Sequence, residues 1–102
     1  MQIINAKGGE PCRVCFGASG FPTTFHHLVP RGAPWFGADT EANLVGLCGT
    51  GTTGCHGLVE RRDEKACRTM LERLRDDEYS YAIERGGEAF FERRYRLVYS
   101  RA

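Results

Sequence analysis

The sequence has no apolar run long enough to cross a bilayer, and no basic-plus-apolar N-terminus of the signal-peptide kind. No membrane is therefore expected among its partners, and the cytoplasm is the expected compartment. It also has little net charge: 14 Lys and Arg against 13 Asp and Glu leave +1, so the molecule as a whole does not advertise nucleic-acid binding. Internal repeats and low-complexity segments are absent, which removes solenoid and disordered classes. An even cysteine count is missing too. Five cysteines without a secretory signal argue against a disulfide scaffold.

What is present suits a soluble globular protein: 41% apolar and 26% charged residues in a chain of 102. That length predicts one domain over 1–102, with a core at about 10–75 and a helical C-terminal extension at about 76–102. So short a chain gains from a bound metal. Cys12 and Cys15 form a C-x-x-C pair in PCRVC, and Cys48 and Cys55 close LCGTGTTGC. Two such pairs can complete one tetrahedral four-cysteine site for a structural Zn²⁺. The second spacing is wide, but its Gly and Thr residues let the chain loop out and return. Cys67 has no partner of this kind and is expected in the core.

Residues 1–11 read as an extended arm and 16–24 as a loop. FHHLV, 25–29, has the character of a short strand that Pro30 ends, and ANLVGLC, 42–48, of a second. The two are expected to pair as an antiparallel hairpin with a long connection. Leu58, Val59, Ala66, Cys67, Met70, Leu71 and Leu74 recur at helical steps, in one helix or in two broken near Asp63. Asp76 or Asp77 can cap a further helix that Gly86 and Gly87 end. A last helix from Glu88 to about Tyr95 carries Phe90, Phe91 and Tyr95 towards the core.

The polar residues follow an order along these elements: His26 and His27 on the first strand, Asn43 opening the second, and His56 opening the helix after Cys55. Here the sequence resembles the HNH family of nucleases. CRVC, HHLVPRG, ANLVGLC and GCHG carry the resemblance over residues 12 to about 62, and the tail looks like that of small phage-type members. The resemblance implies an α+β fold with a ββα-metal core stapled by zinc. It implies a metal-dependent endonuclease that hydrolyses DNA phosphodiester bonds, leaving 5′-phosphate and 3′-hydroxyl ends. His27 matches the general base and Asn43 the middle Asn. His26 and His56 match ligands of a catalytic divalent cation such as Mg²⁺, Mn²⁺ or Ni²⁺, and the four cysteines match the zinc ligands. Where some members carry a further His, this chain has Glu60, which is either a third ligand or a solvated partner for an Arg.

The chemistry suits these residue types. Hydrolysis needs an activated water, and an imidazole of ordinary pKa ~6.5 can take its proton. A divalent cation can stabilise the charge that develops on the leaving oxygen. Successive strand residues point to opposite faces, so His26 and His27 can share one site only at a strand end or a bulge. Arg31, Arg61 and Arg62 are candidate phosphate contacts, or else a loop salt bridge and a solvated face. Trp35 and Phe36 either touch DNA or pack over the hairpin. The phage-type tail makes terminase and portal proteins expected partners, inside a bacterial host cell. The alternative is a non-catalytic zinc module that binds nucleic acid or protein and has no need of His27.

Overall fold

The computed structural model describes residues 10–101, so the expected N-terminal arm lies outside it except for its last two positions. Strand β1, Thr23–His27, pairs antiparallel with β2, Leu44–Cys48, in a register that sets Thr23 opposite Cys48 and His27 opposite Leu44. Both strands occur near their expected places, with shifted ends. A single 3-10 turn over Glu41–Asn43 occupies the expected start of β2. At the same end of β1, the Asn43 side chain takes over the bonding. Its Oδ1 accepts from Val29 N at 2.8 Å and its Nδ2 donates to Val29 O at 3.1 Å. An amide can satisfy one backbone donor and one acceptor at once, and so substitutes for a ladder rung.

Four helices follow: α1, Gly54–Glu60; α2, Glu64–Glu72; α3, Asp76–Gly86; and α4, Phe90–Tyr95. The helical pattern that begins at Leu58 thus divides in two. Arg62 turns to φ 61° and Asp63 caps α2, its side chain accepting from Ala66 N at 3.0 Å. The cap of α3 is Arg75 rather than Asp76 or Asp77, because Glu78 reaches back to accept from Arg75 N at 2.7 Å. Gly87, at φ 90°, ends α3 as expected. The last helix begins at Phe90, two residues later than expected.

One hydrophobic cluster joins Leu28, Leu47, Val59, Met70, Phe90 and Phe91, so the C-terminal helices complete the core of the hairpin and α1. Trp35 meets the Phe90 ring edge-on with centroids 5.5 Å apart, whereas Phe36 is 62% exposed. Trp35 therefore packs and Phe36 remains available to solvent. Cys67 is fully buried as expected, with its thiol pushed up to about 11 by burial and by Asp63. No helix among the described residues is long and apolar enough to cross a membrane.

Arg13, between Cys12 and Cys15, ties this N-terminal turn to α3. Its guanidinium meets both oxygens of Glu78 at 2.7 and 3.0 Å, and it also pairs with Glu10. Arg73 returns the link by donating to the carbonyls of Arg13 and Val14. Glu78 is fully buried. Removing one member of a buried ion pair strands the other, at a cost of about 3–5 kcal/mol. Glu78→Ala is therefore expected to lose that much stability, read as a lower urea midpoint in the zinc-loaded protein.

Candidate metal centres

The tight turn after Pro11 and the end of β2 bring four cysteines together. Cys12, Cys15, Cys48 and Cys55 each offer a sulfur within 4.8 Å of the other three. The Cys15 and Cys48 sulfurs are 3.6 Å apart, against ~3.8 Å for two corners of a tetrahedron with Zn–S bonds of about 2.3 Å. Backbone N–H groups of Val14 and Cys15 point at the Cys12 sulfur, and that of Cys55 at the Cys48 sulfur, all at 3.4 Å. Such donors favour thiolates. The return loop depends on Gly49: at φ 88°, a Cβ there would fall 2.2 Å from Thr53 O.

Burial opposes ionisation of Cys15, yet hydrogen bonds from the Ser19 backbone, Cys48, the Gly17 backbone and Cys12 bring it down to about 6. Cys55 is pushed up, first by burial and then by the adjoining Cys48 and Cys12. Four thiols this close cannot all ionise against one another unless a cation is present. The group could hold a metal such as zinc, and the donor set fits that ion.

The residue after Cys55 begins a second cluster. His56 on α1, Glu60 one turn later and His26 on β1 place one ligand atom each within 4.8 Å of the others. Glu60 Oε2 lies 2.9 Å from His26 Nδ1 and 3.3 Å from His56 Nε2, while its Oε1 faces Arg94 Nη2 at 3.7 Å. Glu60 therefore lies among the histidines and also pairs with Arg94. Burial holds His26 neutral, down to about 4. Hydrogen bonds from His26 and His56 keep the Glu60 carboxyl well below the usual carboxylate range. A neutral His26 and an ionised Glu60 are the protonation states a divalent ion requires of these two residues.

Thr24, two residues before His26 on the same strand face, fixes the His56 tautomer. Its hydroxyl donates to Gly49 O at 2.6 Å and meets His56 Nδ1 at 2.7 Å. A hydroxyl has one proton, so with that proton on Gly49 O it accepts from His56 Nδ1–H, and Nε2 is the nitrogen that faces Glu60.

His27 stands apart from this cluster, as strand alternation requires. It is the last residue of β1, partly exposed, with Nε2 2.6 Å from Asp39 Oδ1. That bond, and then Arg31 at 3.7 Å, keeps the Asp39 carboxyl below its ordinary value. Asn43 does not touch His27; it reaches the His27–Asp39 pair through the backbone. Besides Val29, it donates to Ala38 O at 2.9 Å, and so fixes the neighbour of Asp39. A side chain at Gly37 would collide with Val29 O at 2.0 Å, so the loop closes tightly on this amide.

The three arginines do not form one patch of free charge. Arg31 is exposed beside Asp39, Arg61 donates to Thr52 O, and Arg62 donates to Arg94 O. Thr24, Asp39 and the roles of Arg94 and Tyr95 beside the cluster escaped the sequence analysis. Comparison with family models, with curated proteins and with solved structures gave no match, so the functional reading rests on this geometry.

Proposed function

We propose that the protein is a metal-dependent endonuclease of the HNH type that hydrolyses DNA phosphodiester bonds. The observation that carries this reading is the convergence of His26, His56 and Glu60 at the junction of hairpin and α1, one residue beyond a separate cysteine group. Zinc in the cysteine group would staple β2 to α1 and so hold His56 against His26. A divalent ion at the histidines and Glu60 would supply Lewis-acid stabilisation of phosphate and leaving-group charge.

The chain's own residues do the rest. Asp39 holds His27 Nε2, which leaves Nδ1 to take the proton of the attacking water. An anionic partner on one ring nitrogen strengthens the other as a base and stabilises the imidazolium that forms. Asn43 keeps the two halves of this pair in register by holding Val29 and Ala38.

Purified protein is expected to cut plasmid with Mg²⁺, Mn²⁺ or Ni²⁺ and to stop in EDTA. No cleavage with any of the three overturns the enzyme and leaves the zinc-binding interaction module. DNA would be held locally, by Arg31, Arg61 and Arg62. In a cleavage-inactive background, replacing each with Ala should lower the salt slope of log K by about one, with sequence preference unchanged. Unchanged slopes in all three would assign them to structure alone.

A further inference from the structure

The imidazole of His26 has a different neighbour at each nitrogen. Nδ1 faces Glu60 and the His56 ring, whereas Nε2 lies 2.6 Å from the hydroxyl of Tyr95, on α4 and 69 residues further along the chain. Tyr95 is 1% exposed, and among the described residues its hydroxyl bonds to this nitrogen alone. For packing only, phenylalanine would serve, as it does at Phe90 and Phe91 in the same helix. A buried hydroxyl needs a partner, and its placement against a candidate ligand rather than a backbone carbonyl has a chemical use.

A neutral imidazole carries one proton, so whatever bonds one nitrogen determines what the other can do. With the proton on Nδ1, His26 donates to Glu60 and Nε2 must be given a hydrogen bond. With a cation on Nδ1, the proton is on Nε2 and must be accepted. A carbonyl can only accept and an ammonium can only donate. A tyrosine hydroxyl does both by turning its O–H bond. Thr24 lacks this freedom, since its proton is committed to Gly49 O.

We propose that Tyr95 is the positioning residue of the His26–His56–Glu60 centre, its hydroxyl holding the His26 ring so that Nδ1 faces Glu60 with or without a cation. With a cation at Nδ1, the one ring proton would sit on Nε2 and Tyr95, keeping its own, would be the acceptor. The C-terminal helix thereby belongs to the metal centre as well as to the core. This inference rests on the metal reading of the cluster.

The test is a calorimetric titration of the zinc-loaded chain with Ni²⁺. Tyr95→Phe keeps the ring and its packing, and is expected to weaken Ni²⁺ binding by about 10- to 100-fold while zinc content stays at the wild-type level. In a His26→Ala background, Tyr95→Phe should add no further loss, because the two act through one ligand. Phe90→Leu perturbs the same helix at a ring that meets Trp35 and Phe91, and should lower the melting temperature but not the Ni²⁺ affinity. Wild-type affinity in Tyr95→Phe, or an equal loss in Phe90→Leu, overturns the role of Tyr95 and leaves the metal reading intact. If the zinc-loaded wild type binds no Ni²⁺, both fall together.

Discussion

Replacing His27 with alanine should abolish detectable plasmid cleavage while leaving the fold and divalent-metal binding as they are. A general base contributes about 10²- to 10⁴-fold in rate, and His27 lies outside the set that could ligate the ion. His56→Ala should also stop cleavage, for a different reason that calorimetry separates: it removes a ligand, so the divalent ion itself binds more weakly. Asp39→Asn should cost less than His27→Ala, since an amide can still accept from the ring but stabilises the imidazolium poorly. Cleavage by His27→Ala at the wild-type rate would remove His27 as the base, and the proton would then have to be taken elsewhere.

Loss of the cysteine group should be felt by the whole fold. A structural zinc site contributes on the order of 10 kcal/mol, comparable to the entire stability of a domain of this size. Cys12→Ser, or stripping the metal with a strong chelator, is expected to abolish the cooperative unfolding transition, with circular dichroism showing loss of helix at room temperature. Cys67→Ala should cost only about 1–2 kcal/mol, because that buried thiol makes a single weak bond, to Val59 O. Metal analysis should give one zinc per chain. A Cys12→Ser protein that melts like the wild type would show that the sulfurs are mere neighbours.

The cysteine group was legible because its signal is short-ranged: two pairs, each closed by a local turn. His26, Asn43 and His56 were legible as an ordered set along predicted elements. The side-chain directions of His26 and His27 followed from strand alternation, but their partners did not. Asp39 lies in a loop held by the Asn43 side chain, a contact that has no periodic signature. Tyr95 read as core because it recurs with Phe90 and Phe91 at helical spacing, and it is core; its hydroxyl found His26 only through tertiary packing. The Arg13–Glu78 pair was likewise invisible, since 65 residues separate its members. In the same way, the expected boundary near residue 75 reflects a change of pattern along the chain. In three dimensions the cluster of buried side chains runs straight across it.

Strand β1 gives one face to His26 and Thr24 and the other to Phe25 and His27, against a β2 register locked at one end by Asn43. The length of this strand therefore matters as much as its composition. A single-codon deletion within Thr23–His27 would slide the remaining side chains by one place. Residues meant for the buried face would turn outward, while the clamp beyond Val29 still held the downstream chain in place. Even a deletion that spared every histidine would scramble which imidazole meets Glu60. Insertions and deletions in these five codons should thus be depleted more strongly in a library of functional variants than conservative replacements at the same positions.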